Sequence, residues 1–185
     1  MLHRYTCADY VGLERISQTK HEFLDGEIYG MAGGSEDHPA IAASMIAAFI
    51  NALGDRPCRV HTSDLRIYVE AVGLATFPDV SVICGPLEHH APSPDATALN
   101  PAVLVEVTSD SSEDYDTTTK LDAYKAIPSL LEYVVVSHRE RRITVHCRAD
   151  NAWLKRVAIA GGQIRVETLG AEFAVDVIYR SSAIS

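Results

Sequence analysis

At 185 residues, with 47% hydrophobic and 22% charged residues, the chain can bury one sizeable core and has the make-up of an ordinary globular protein. Sixteen basic residues against 25 acidic ones give a net charge of −9, which argues against a broad basic face for gripping nucleic acid. It leaves open a local site where a metal ion supplies the positive charge.

No apolar run approaches the ~18 residues that cross a bilayer. Met1-Leu2-His3-Arg4-Tyr5 lacks the apolar core of a signal peptide. Cys7, Cys58, Cys84 and Cys147 stand singly, without a C-x-x-C pair, and are expected to be reduced thiols of a cytoplasmic protein.

In chain order, residues 7 to 16 predict a short helix with Tyr10, Leu13 and Ile16 on one face. Asp25-Gly26, between "EFL" and "EIYGM", predicts a hairpin, because glycine accepts the positive φ of a tight turn. Ser35-Glu36-Asp37 reads as a hydroxyl cap followed by first-turn acids. Ile41, Met45, Ala48, Phe49 and Ala52 form the buried stripe of the helix that follows, ended by Gly54 and Pro57.

Two strand candidates come next, "RVHTSDLRIYVE" and "FPDVSVIC", separated by Val72-Gly73. Residues 85 to 100, rich in Pro, Ala and His, read as an exposed loop. "VLVEV" is a strand, a helix runs from about Asp116 to Ala126, and Ile127-Pro128 stops it. "LLEYVVVS" is a further buried strand, and "RRITVHCR", "LKRVAI", "QIRVETL" and "FAVDVIY" predict short antiparallel strands. This order predicts a mixed α/β (α+β) domain with a central sheet flanked by helices.

Alternate side chains of a strand share a face, so Glu106 lies with Leu104 and Thr108, opposite Val103, Val105 and Val107. An unpaired carboxylate there costs several kcal/mol or shifts its pKa upward, so a cation belongs nearby. For Glu106 alone, a structural Arg or Lys answers as well as a metal. Asp79 lies at a second apolar strand, behind Pro78; a lone Pro-Asp favours a turn, but Val80, Val82 and Ile83 favour a strand. Two inward carboxylates on neighbouring strands repel each other unless a cation lies between them, and an oxygen-seeking ion such as Mg²⁺ meets that need. Lys120, one turn into the helix after Glu106, can return an ammonium to that carboxylate.

Other signals are weaker. His89-His90 point apart, and His38, His61, His138 and His146 lack H-x-x-x-H spacing for a metal. Arg139, Arg141 and Arg142, with Lys155 and Arg156 downstream, form a charged turn or a phosphate-contacting edge. Gly33-Gly34 lacks the spacing of a phosphate loop.

Asp79, Glu106 and Lys120, in this order within "HEFLDGEIYGMAGGSEDH", "FPDVSVIC" and "NPAVLVEVTSDSSEDYDTTTKLDAYKAIPSLLEYVVVS", resemble the PD-(D/E)XK nuclease superfamily. Within it the chain resembles the Uma-two family of restriction endonuclease-like proteins. The resemblance implies one domain over 1–185, with a four-stranded core at about 20–137 and a strand extension at about 138–180. It implies a homodimer that hydrolyses phosphodiester bonds in nucleic acid, DNA before RNA, with Mg²⁺ or Mn²⁺.

By the same resemblance Asp79, Glu106 and the Val107 carbonyl hold the metal, and Lys120 assists attack. Lys120 stands in for the usual lysine, whose position is Thr108 here. Glu22 falls at an N-terminal acidic position of the site, with Asp64 an additional acidic candidate. The competing readings are a catalytically idle interaction protein on the same fold, and a hydrolase of another phosphoester.

Overall fold

Thr6 opens the first helix: its hydroxyl accepts from the Asp9 amide, and the Asp9 carboxylate accepts from the Thr6 amide. This reciprocal cap satisfies donors that a helix start leaves orphaned. In the computed structural model, which describes residues 4–31, 34–90, 97–150 and 152–185, that helix is α1 (Cys7–Glu14). It buries Tyr10 and Val11. Ile16, expected beside Tyr10, is 82% exposed, because the helix has ended by then.

β1 (His21–Leu24) and β2 (Glu27–Gly30) pair with Leu24 opposite Glu27. The loop is therefore the two residues Asp25 and Gly26, both left-handed at φ 45° and 88°, as the right-handed strand twist requires. α2 (Asp37–Leu53) buries Ile41, Met45, Phe49 and Leu53, with Ala48 and Ala52 partly covered. The expected Ser35 cap does not form; Glu36 precedes the helix and no side chain caps it. Asp37 instead accepts from the Ala183 amide at 2.8 Å, tying the C-terminal segment to the start of α2.

Where two strands are predicted there are four: β3 (Cys58–Thr62), β4 (Arg66–Val69), β5 (Leu74–Thr76) and β6 (Val80–Cys84). A turn at Ser63-Asp64, closed by Leu65 N–H to the Thr62 carbonyl, divides the first prediction; β5 lies between the two predicted stretches, and the second becomes a strand only at Val80, after Pro78-Asp79. Residues 91–96 of the predicted loop, and Gly33, lie outside the described residues. The rest of that loop is not all exposed, since β7 (Thr97–Ala98) is buried alongside β4.

β8 (Val103–Val107) leads to two short helices, α3 (Glu113–Thr117) and α4 (Thr119–Lys125), in place of one. The chain breaks helical geometry at Thr118 (φ −125°, ψ −83°). β9 (Glu132–Val136), β10 (Arg142–Ala149), β11 (Ala152–Ile159) and β12 (Gln163–Val166) follow. "FAVDVIY" is not one strand but β13 (Ala171–Ala174) running into α5 (Val175–Ile178).

A six-stranded sheet in the order β11-β10-β9-β8-β6-β3 forms the centre, two strands wider than the four-stranded core the resemblance implies. Only β8 and β9 are parallel in it, joined by the α3–α4 crossover. One face packs α2 and the C-terminal β12–α5 segment against Val80, Val82, Val103, Val105 and Val107. The other packs α4 and residues of β4 and β5, part of a second sheet ordered β2-β1-β5-β4-β7, against Ile83, Leu104 and Val135.

The thiol expectation fails for two of the four cysteines. Cys58 and Cys84 stand opposite each other in the β3–β6 register, Cα atoms 3.9 Å apart, and form a disulfide. A separation of 26 residues hides this pairing, which antiparallel register alone creates. Cys7 and Cys147 are free. Among the described residues, no helix is long and apolar enough to cross a membrane.

Candidate active site

The alternation of β8 decides where Glu106 points. Its odd-numbered valines pack toward α2, so Glu106 turns toward α4 with Leu104, and only 4% of it is exposed. Lys120, the second residue of α4, reaches back from the crossover and donates from Nζ to Glu106 Oε1 at 3.0 Å. Tyr124, one helical turn later, donates to the same oxygen at 2.7 Å.

Lys120 serves more than Glu106. Its Nζ lies 2.7 Å from Glu22 Oε1 and 3.5 Å from Asp116 Oδ1. Three carboxylates therefore share one ammonium. Glu22 comes from β1, where Thr76 of β5 also donates to it. Asp116, where the sequence predicts a helix to begin, is buried at 2% exposure inside α3, four residues before Lys120. Its Oδ1 has no hydrogen-bond partner among the described residues.

The electrostatics follow from this crowding. Burial, reinforced by the charges of Asp116 and Asp79 and opposed by Lys120, holds the Glu106 carboxyl well above the usual carboxylate range. Burial likewise raises Asp116, again against the pull of Lys120. For Lys120, burial disfavours the charge, but Glu106, Glu22 and Asp116 outweigh it and hold the ammonium well above an ordinary lysine. All three directions express one property: the cluster retains protons.

Asp79 immediately precedes β6. It stands in a bend rather than in the strand itself, one residue beyond the Val80–Val105 pair. Its Oδ2 accepts from the Val107 amide at 2.8 Å and lies 3.2 Å from Nε2 of His38, in the first turn of α2. The Asp79 hydrogen bond, opposed by burial and aided by the Asp79 charge and the Val107 carbonyl, raises the His38 pKa. Asp79, Glu106, Val107, Lys120, Glu22, Asp116 and His38 all line one cleft of about 970 Å³. Leu24, Tyr29, Met31, Phe77 and Tyr115 supply its apolar wall, and Ser109, Ser111 and Ser112 its rim.

Asp64 is not part of this cluster; its exposed carboxylate pairs with Lys20 at 2.7 Å. Thr108 is buried and occupied, its hydroxyl 2.8 Å from His138 Nδ1 and accepting from the His138 amide at 3.1 Å. The basic group reads as a charged turn: Arg139 pairs with Glu113 and Asp110, Arg142 with Glu140, and Arg141 with Asp176. Arg156 bonds Glu132 and Glu167. His90 is buried against the Tyr68 ring, 4.1 Å between centroids, away from the cleft lining.

Sequence reading missed three members. Asp116 was detectable as the residue four before Lys120, hence on the same helical side. Tyr124 shares that side. His38 carried no local signal, because its partner Asp79 is 41 positions away and H-x-x-x-H spacing tests only ligands on one element.

No three His, Cys, Asp or Glu side chains among the described residues already converge as a metal cage. The donors nevertheless suit a hard cation. Among the described residues, Asp79 spends only Oδ2, and Glu106 only Oε1, on protein partners, leaving one oxygen on each without a donor. Four carboxyl groups, of Asp79, Glu106, Glu22 and Asp116, line the cleft with Lys120, whose ammonium lies 3.5 Å from Asp116 Oδ1.

A mixed sheet of this kind has a solved counterpart. The fold matches a crystal structure described as a "putative nuclease belonging to DUF820" from Anabaena variabilis, with a TM-score of 0.72 over 89% of this chain and 92% of that one at 15% identity. The fold is thus nuclease-like. Residues 7–177 match the model of the Uma2 family, described as "Putative restriction endonuclease", and the chain belongs to that family. Two proteins of Synechocystis sp. are similar over most of their length. The uncharacterized protein slr1290 is 36% identical across 95% of this chain and 91% of its own. The uncharacterized protein sll1609 is 30% identical across 80% and 84%.

Proposed function

We propose that the protein is a metal-dependent nuclease that hydrolyses phosphodiester bonds in DNA at the cleft between β8, β6 and α4. The observation that carries this reading is the convergence of Asp79, Glu106 and Lys120 on one cleft, with an oxygen on each carboxylate that bonds no donor among the described residues. Asp79 and Glu106 would hold Mg²⁺ or Mn²⁺, with the Val107 carbonyl as a backbone donor. Such an ion, when bound, polarises the phosphate and lowers the pKa of a water.

The chain's own groups do the rest. Lys120 keeps its proton and offers positive charge to the phosphorane oxygens. Glu22 and Asp116 hold that ammonium in place, and Tyr124 fixes the Glu106 oxygen that the ion does not use. In this reading the protein acts as a homodimer with residues 1–185 as a single domain, as the resemblance implies.

The test is cleavage of plasmid and oligonucleotide DNA and of RNA, in Mg²⁺ or Mn²⁺, by wild type, Asp79→Ala and Lys120→Ala, each checked for folding by circular dichroism. Both variants should lose at least ~100-fold in rate. Equal cleavage by all three proteins sinks the assignment.

A further inference from the structure

Among the described residues, His38 is the histidine of the cleft lining, and the scheme above leaves it without a task. It stands where two of the metal's proposed donors meet. Nε2 is 3.2 Å from Asp79 Oδ2, and the Val107 carbonyl lies beside the ring. Two donors bonded to one octahedral ion at ~2.1 Å and at right angles lie roughly 3.0 Å apart, so the Nε2–Oδ2 spacing is that of adjacent ligands.

The surroundings hold the ring there. His38 is on the first turn of a 17-residue helix, and a Cβ built on Gly34 would lie 2.8 Å from the His38 Cβ and Cγ. Only glycine lets the entering loop pass so close to this side chain. A surface histidine needs no such clearance.

We infer that His38 is a direct ligand of the metal, completing a nitrogen-and-oxygen set with Asp79, Glu106 and the Val107 carbonyl. Nε2 of His38 and a carboxylate oxygen of Asp79 would then both hold the ion, which would link them in place of the contact they make with each other at 3.2 Å. Imidazole is a weak partner for Mg²⁺ and a good one for Mn²⁺, Co²⁺ and Zn²⁺, so His38 tilts the site toward the later divalent metals. This inference rests on the metal-binding reading above and adds its fourth ligand and its metal preference.

Calorimetric titration with Co²⁺ alone and Mg²⁺ alone, on the full chain without nucleic acid, separates the possibilities. Wild type, Asp79→Ala, His38→Ala and His38→Gln are compared. Direct ligation predicts a Co²⁺ Kd raised at least ~100-fold in both His38 variants, while the Mg²⁺ Kd rises less than ~3-fold. His38→Gln keeps an N–H for Asp79, so a residue that only orients Asp79 would be rescued by it, and a ligand would not. Electron-spin-echo spectra of bound Mn²⁺ should show nitrogen modulation in wild type that both variants lack. Rescue by glutamine, or an absence of nitrogen coupling in wild type, overturns the assignment of His38 and leaves the metal site standing. Failure of wild type to bind either ion overturns both.

Discussion

Replacing Lys120 with methionine removes the charge and keeps the length of the side chain, so the loss should be electrostatic. The ammonium lies 2.7, 3.0 and 3.5 Å from three carboxylates. Without it, the cluster must take up at least one further proton or unfold. Holding a carboxyl protonated costs about 1.4 kcal/mol for each pH unit above its ordinary value, which for Glu106 is 4.5. The expected destabilisation is then roughly 0.7 kcal/mol at pH 5 and roughly 3.4 kcal/mol at pH 7.

The sign follows from the shifts. Glu106, Asp116 and Lys120 all have folded pKa values raised above their unfolded ones, so the folded state binds more protons. For Glu106 and Asp116 that stability is complete below about pH 4 and is lost as pH rises through the raised values, whereas the Lys120 term is complete below the ordinary lysine value of 10.5 and stays constant from pH 5 to 8. Lys120→Met steepens that fall. Urea unfolding of both proteins at pH 5, 6, 7 and 8 measures it. A stability difference that stays constant within about 0.5 kcal/mol across that range refutes the shared-ammonium account.

Thr108→Lys restores the superfamily's lysine spacing but should not restore function to Lys120→Ala. The residue is buried at 1% exposure and bonded to His138, so the change should cost about 2–4 kcal/mol in thermal unfolding. Tyr124→Phe deletes one hydrogen bond to Glu106 and should cost about 1 kcal/mol by the same assay, with the protein remaining folded. Dithiothreitol, by opening the disulfide across 26 residues, should remove about 3.5 kcal/mol of stability, seen as a lower Tm that Cys58→Ala reproduces. Gly34→Ala should weaken metal binding, because the new methyl displaces His38; an unchanged Co²⁺ Kd would mean the loop yields freely.

Much of the fold could be read where one element explains itself. The Asp25-Gly26 hairpin, the stripe of α2 and the face of Glu106 all follow from periodicity within a few residues. Errors arose where the deciding partner is distant. Cys58 meets Cys84, and Asp37 meets Ala183, only after the sheet has assembled. The split of α3 from α4 had a local trace, since Thr117-Thr118-Thr119 is a poor helix interior. That break makes Asp116 the last-turn residue of one helix and Lys120 the first-turn residue of the next, while leaving them 3.5 Å apart.

A buried cluster of this kind is not explained by stability. Glu106, Asp116, Lys120 and Glu22 are each at most 7% exposed. Buried ion pairs recover little more than their desolvation cost, and apolar residues of similar volume often do better. Leu104, two residues before Glu106 on the same face, shows what the fold places there when packing alone decides. The charges begin where β8 runs out into the cleft, and the strand before that point is entirely apolar. Among the described residues that line this cleft, Glu22, Glu106, Asp116 and Lys120 come from β1, β8, α3 and α4, and that convergence of buried charge supports the functional reading proposed above. Thr108 sharpens the point. Because it is locked to His138, the ammonium has to arrive from a helix, and a helix-borne lysine needs carboxylates on its far side to hold it. Glu22 at 2.7 Å and Asp116 at 3.5 Å supply those carboxylates to Lys120.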